Sequence, residues 1–286
     1  MSKSNLLEKK SEKRKYPVLD LDAYSPDEVT RRVMHIGVKK VRFPGVITLM
    51  LGILGGCFIS LGALYQVVVM ANPDISDSTS AVVSPLFYGM GYIIAFIAGT
   101  EIFTTNNLAL MSLASRKITA LELIRNWTIV LIANIIGAGA LVLLFYYSGQ
   151  IHLFDGLLIE EVLFLTSSKL DYTITQMFLL GLFGNLLICS GAWLAMAGRT
   201  VTDKFLALFL PLSAVPAIGF QHGTGNMFHF LLSFLIIHDG QALELPTDIT
   251  AVKATVSLIM VAAGNIVGGG VFIALTYYFI YVRNKW

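Results

Sequence analysis

Apolar residues fill six stretches of the chain, residues 43–71, 84–114, 127–147, 175–197, 205–237 and 254–282. Each is long enough for a helix to cross a hydrocarbon core of about 30 Å, which takes about 20 residues. Two of the six carry polar residues in mid-run. The second reads Gly99-Thr-Glu-Ile-Phe-Thr-Thr-Asn-Asn107 and the fifth Phe220-Gln-His-Gly-Thr-Gly-Asn226. Ahead of them, residues 1–42 are polar and lack the apolar centre of a cleaved signal peptide, so they read as a tail that stays on the chain. Within the tail, Ser25, Pro26 and Glu28 form an N-cap, N1 and N3 start signal, and Val29, Val33 and Ile36 fall at helical spacing before the basic run Lys39, Lys40, Arg42. This pattern predicts an amphipathic helix on the membrane surface. The chain thus divides into a cytoplasmic tail (1–42), a six-helix transmembrane domain (43–282) and a short C-terminus (283–286).

Composition sharpens the picture. Of 286 residues, 56% are hydrophobic and only 13% charged, against about 25% charged in soluble domains. Mean hydropathy is +0.73. Such a chain must meet lipid over much of its surface, which excludes a disordered chain, a disulfide scaffold and most soluble enzymes. A net charge of +2 gives no reason to expect a nucleic-acid partner. Cys57 and Cys189 stand alone in apolar runs, as small packing residues without zinc spacing or a redox motif, and nothing calls for a metal or a cofactor. The 20 Lys and Arg are segregated: 18 fall in the tail, the second and fourth connections and the C-terminus, leaving Lys169 and Lys253 on the other face. Because cytoplasmic loops retain positive charge, both termini are expected in the cytoplasm.

The two halves repeat. Gly52-Ile-Leu-Gly55, Ile59 and Gly62-Ala63 return 129 residues later as Gly181-Leu-Phe-Gly184, Ile188 and Gly191-Ala192. Asn134-Ile-Ile-Gly137-Ala-Gly139 returns after 131 residues as Asn265-Ile-Val-Gly268-Gly-Gly270. Three spans per half is an odd number, so the halves must thread in opposite directions. Inverted repeats with interrupted spans at matching places point to a substrate site near the bilayer midplane. Irregular backbone at that depth is tolerated only where it is buried in protein or lines a cavity, so the two breaks should face a pathway. The shared glycines serve close helix packing.

Three ionisable groups sit at depth, Glu101, His222 and His229, and such groups are functional candidates. His222 lies in the second break before Gly223 and Gly225. Asn226 is the expected cap of the half-helix that starts there, whose positive end attracts an anion. An imidazole there can donate to an anion or hand it a proton. His229, between Phe228 and Phe230, reads as a packed histidine. Glu101 reads either as a buried acid that ties its loop together or as part of a proton path. Thr104, Thr105, Asn106 and Asn107 beside it suit an anion better than a metal, which wants several carboxylates.

Together the six spans, Phe103-Thr104 in one break, His222-X-X-X-Asn226 in the other and Gly-Asn-Ile-Val-Gly-Gly-Gly at 264–270 resemble the formate/nitrite transporter family over residues 25–284. The resemblance implies an aquaporin-like fold, a homopentamer with one pore per protomer in the inner membrane of a prokaryote, and passage of small monovalent anions or their acids. It also implies roles: His222 as central pore histidine, Asn226 as pore asparagine, Thr104 as pore threonine and Lys169 as the outer lysine that draws anions in. Where formate-type members narrow the pore with Phe or Leu, this chain has Tyr88, Tyr92 and Val215, which with Phe103 form the expected constrictions. Gln221 stands where an acid is common. The expected activity is conduction of formate or nitrite, with proton coupling open. Hydrosulfide or lactate is the alternative cargo, and a neutral-solute channel the alternative class. The latter usually carries Asn-Pro-Ala at both breaks, which are lacking here, and no nucleophile with its base suggests an enzyme. The amphipathic helix is a candidate gate, with His35 as a pH sensor.

Overall fold

A computed structural model describes residues 23–241 and 249–283. The basic residues of positions 1–22 and Lys285, which contribute to the expected orientation, lie outside the described residues, as do the ends of the predicted tail and C-terminus. Every described element is helical. In order they are α1 (Pro26–Val41), α2 (Gly45–Met70), α3 (Asp77–Ile97), α4 (Phe103–Asn106), a 3-10 turn (Asn107–Ala109), α5 (Leu110–Ala114), α6 (Ala120–Tyr147), a 3-10 segment (Gln150–Gly156), α7 (Leu157–Leu170), α8 (Ile174–Ala197), α9 (Val201–Ala217), α10 (Gly223–His238) and α11 (Ala251–Arg283). The last contains π-helical turns over Ile266–Leu275 and Phe279–Arg283.

Five helices, α2, α3, α6, α8 and α11, are long and apolar enough to cross a membrane. The fifth apolar stretch is not among them because its break divides it into α9 and α10, of 17 and 16 residues. Several helices start ahead of their apolar runs. Ser76 caps α3 at Asp77 rather than 84, the Thr119–Glu122 capping box starts α6 at Ala120 rather than 127, and Thr250 starts α11 at Ala251. The reason is local. A hydroxyl that accepts the first free backbone N–H fixes a helix start in polar sequence, upstream of where hydropathy rises.

Packing follows the repeat. α2 lies between α3 and α6, and α8 between α9 and α11. Gly137 and Gly268 occupy matching places: a Cβ on the first would strike the carbonyl oxygen of Ile53, and on the second that of Leu182. Backbone approach of this kind holds helices together in lipid, where burial of apolar surface gives no preference for protein over acyl chains. Exposed Leu144, Leu206, Leu210 and Phe272 face outward. Cys57 and Cys189 are free thiols, and Cys189 is buried.

The capping box expected at Ser25 and Glu28 is present. The apolar face of α1, however, does not lie open to a membrane surface. Val29, Val33 and Met34 are buried against Leu108, Met111, Cys189 and Trp193, so the stripe read as lipid-facing is covered by the broken second span and α8. His35 sits on the exposed side of this helix.

Candidate functional site

The breaks after α3 and α9 are built alike. Each begins at a glycine in the left-handed region, Gly99 at φ 76° and Gly219 at φ 79°, a conformation that costs other residues dearly. Thr100 N–H then bonds Ala95 C=O (3.1 Å) and Phe220 N–H bonds Val215 C=O (2.8 Å). Glu101 N–H reaches Leu51 C=O at 3.2 Å, and Gln221 N–H reaches Leu180 C=O at 3.1 Å. The two repeated asparagines finish the work. Asn134 Nδ2 donates to Gly52 and Glu101 carbonyls (2.8 and 2.9 Å) and its Oδ1 accepts Phe103 N–H (3.0 Å). Asn265 Nδ2 donates to Gly181 and Gln221 carbonyls (2.7 and 3.5 Å) and its Oδ1 accepts Gly223 N–H (3.3 Å). Unwound backbone is thus supplied with partners from inside the protein, as an apolar surrounding requires.

At the ends of the breaks the halves part company. The extended residue that opens α4 is Ile102, and the one that opens α10 is His222. His222 is itself the helix cap: its Nδ1 accepts Gly225 N–H at 3.3 Å. Asn226 is therefore not the cap that its position suggested. It lies inside the first turn, past the point from which an oxygen can reach the leading N–H groups, and donates Nδ2 to Gln221 Oε1 at 2.8 Å. In the other break Asn106 donates Nδ2 to Glu101 Oε2 in the same way.

His222 joins a buried chain of four polar side chains. Tyr88 Oη lies 3.0 Å from Nδ1, Thr104 Oγ1 lies 3.1 Å from Nε2, and Tyr92 Oη lies 3.0 Å from Thr104 Oγ1. Since Nδ1 accepts from a backbone N–H it carries no proton, so Tyr88 donates to it and the neutral ring donates from Nε2 to Thr104. Tautomer and partners are thus assigned by the bonding pattern.

Cavities lie at either end of this chain. One, of about 220 Å³, is lined by Gly37 and Lys40 of α1 with Gly99, Thr100, Asn106 and Lys204. The other, of about 260 Å³, is lined by Gln66, Ser84, Lys169, Tyr172, Gln221 and His229. They touch α3 at Phe96 and Pro85 respectively, eleven residues apart and so separated by about 16 Å of helix. Tyr88, Tyr92, Thr104 and His222 line neither and fill the space between. Phe103, expected at a constriction, is turned aside: its ring lies edge-on to Trp127 at 6.4 Å, on a groove between α6 and α11. Val215 is buried beside Tyr92 and Leu212 and likewise lines neither cavity.

Charge is distributed unevenly over the two ends. Lys40 Nζ pairs with the fully buried Glu101 at 3.1 Å and also donates to Thr100 C=O (3.3 Å) and Asn106 Oδ1 (3.2 Å). In sequence Lys40 is only part of a basic run, but it stands 129 residues before Lys169, the spacing of the repeat, and that was the available signal. At the other end Gln221 replaces the acid, and Lys169 has no carboxylate partner among the described residues. Burial pushes the Lys169 ammonium down to about 8. His229, 1% exposed and bonded through Nδ1 to Gly225 C=O at 3.1 Å, is the packed histidine with a local partner that its surroundings suggested, and it packs behind the same wall. No cluster of metal-ligating side chains occurs among the described residues.

Two helices broken at matching points, meeting at a buried hydrogen-bonded plug between two cavities in an apolar bundle, define a membrane channel or transporter. Comparison with known proteins agrees: the family model for the formate/nitrite transporter matches residues 27–279. The chain belongs to the formate/nitrite transporter family, which comprises transporters and not enzymes. It is 32% identical over 267 residues to the uncharacterised transporter YrhG of Bacillus subtilis (strain 168), covering 91% of this chain and 94% of that one. With the formate channel FocA of Escherichia coli (strain K12) it shares 30% identity over 276 residues, covering 92% and 96%. A solved pentameric formate channel with formate bound superposes with a TM-score of 0.77 at 32% identity, covering 83% of this chain and 98% of that one.

Proposed function

We propose that this chain conducts formate or nitrite, as the anion or its weak acid, across a prokaryotic inner membrane, as a homopentamer with both termini in the cytoplasm. In this reading six spans form two oppositely threaded halves, with residues 1–42 as tail and 43–282 as channel domain. The matched hydrogen bonds of Asn134 and Asn265 support that threading, and the name of the solved relative supports the pentamer. The α1-side cavity is then the inner vestibule and the Lys169 cavity the outer one.

One observation carries the functional reading: the His222 ring, with its Nε2 proton directed at Thr104, stands between two cavities at the meeting of both breaks. An anion reaching it from the outer side is drawn by Lys169, meets Asn226 and Gln221, and exchanges Thr104 for itself as acceptor of the Nε2 proton. Tyr88 and Tyr92 must part for it to pass, so they act as a polar constriction that strips hydrated ions. Uptake of labelled formate and nitrite into proteoliposomes tests this. Wild type should exceed empty liposomes, and His222→Ala should differ strongly from it. Wild-type rates equal to those of empty liposomes would end the reading.

A further inference from the structure

The cavity on the α1 side carries an excess of positive charge. Three cations line it, Arg32, Lys40 and Lys204, and none of its lining residues is an acid. Lys40 is neutralised from behind by Glu101. The other two have no ion pair among the described residues. The Arg32 guanidinium lies on the face of the Tyr24 ring, 4.0 Å from its centroid, which fixes its plane, and its Nε is buried without a partner. Lys204 stands on the first turn of α9. The acids of these two helices are already engaged. Glu28 accepts the Ser25 N–H and hydroxyl, both at 2.8 Å, Asp203 accepts the Arg199 and Thr200 N–H groups, both at 2.9 Å, and Asp27 pairs with Arg31. Most of the remaining wall is apolar, with Val33, Ile36, Val41, Ile102 and Met196, around a volume of about 220 Å³. A concave apolar wall with a few fixed charged groups is the ordinary form of a small-molecule site.

We propose that the α1-side cavity binds organic carboxylates with a short apolar body, the carboxylate held by Arg32 and Lys204 and the body by the apolar wall, and that such an acid obstructs passage from this side. The binding stands on the cavity alone, whereas the obstruction rests on the transport reading above. A planar carboxylate suits the guanidinium fork, and the Lys204 ammonium adds a second charged donor. Formate meets the same cations but leaves the apolar wall uncovered. A longer acid covers it, and each methylene taken out of water strengthens binding about fourfold. The same bulk keeps that acid from following formate, because Tyr88, Tyr92, Thr104 and His222 fill the space beyond. It therefore stays in the cavity and occupies the way through.

Binding of acetate, butyrate and hexanoate to the protein in nanodiscs of zwitterionic lipid, at about pH 7.5 where all three are ionised, tests the site, with empty nanodiscs as the blank. Affinity should rise about fourfold per methylene along the series. Arg32→Gln and Lys204→Gln should each weaken hexanoate binding about tenfold, as expected for the loss of one charged donor. Affinity indifferent to chain length, or binding unchanged in both variants, would overturn the proposal. So would loss of hexanoate binding in nanodiscs of anionic lipid, which would give the site to a lipid headgroup. The wild-type series stands whether or not Arg32→Gln, which also frees Tyr24, still folds. In proteoliposomes with hexanoate on both sides, formate uptake should fall by half at the concentration that half-fills the site. Uptake undisturbed at saturation would overturn the obstruction. Wild type that binds hexanoate as expected but moves no formate would uphold the site and refute the transport reading instead.

Discussion

Tyr88 Oη donates across 3.0 Å to His222 Nδ1, the same nitrogen that receives Gly225 N–H, so one phenol both closes the space between the cavities and holds the central ring in its Nε2-protonated form. Tyr88→Phe removes the hydroxyl but leaves Nδ1 with its backbone donor, so no buried atom is stranded. The expected loss of stability is about 1 kcal/mol, the net worth of one such bond. The plug loosens at the same stroke, and formate uptake in proteoliposomes should rise. A variant slower than wild type with unchanged stability would show that the phenol assists passage rather than closing it.

At the other end, Lys40 is the residue that fastens α1 to the first break. Lys40→Ala leaves the Glu101 carboxylate fully buried with only Asn106 beside it, and an uncompensated buried charge costs about 3–5 kcal/mol. Adding Glu101→Gln removes the charge and should recover most of the loss, since Gln offers the same oxygen to Asn106, as Gln221 does for Asn226 in the second break. Thermal unfolding of the two single variants and the double variant measures the coupling. Additive losses would mean that Lys40 acts through its contacts with Thr100 and Asn106 alone. His35, on the exposed face of the same helix, should be silent in this assay.

What could be read in the sequence was whatever is periodic or repeated. Hydropathy marks the long helices, and the recurrence of Asn134 as Asn265 marks two breaks supported alike. Polar residues in apolar runs locate the breaks to within a few residues. Less legible was everything that depends on distance in space. The partnership of Lys40 with Glu101 joins residues 61 positions apart, and hydropathy places Lys40 in a solvated basic run. His229, between two phenylalanines, has the sequence surroundings of a packed ring. It is such a ring, and only the fold shows that it lies behind the wall that holds Lys169. Asn226 illustrates a third limit: a good capping residue near a helix start is displaced from that role by any neighbour whose acceptor is better aimed, here an imidazole.

Lys169 bears on the pH range over which an anion is held. Burial has brought its ammonium down to about 8, so it is charged below that pH and neutral above it. Formate and nitrite remain anions throughout this range, so any change there belongs to the protein. Apparent affinity for formate should therefore be steady at neutral pH and fall as pH rises through about 8, while Lys169→Arg, whose guanidinium stays protonated, should hold its affinity to higher pH. Gln221→Glu tests the same point from the facing wall, since a carboxylate there competes with the anion for the ammonium. It should weaken formate binding near neutral pH, and raising ionic strength should narrow the difference from wild type. If the affinity of Lys169→Arg declined over the same range as wild type, the ammonium would not be what holds the anion, and the loss would have to come from another group of the outer cavity.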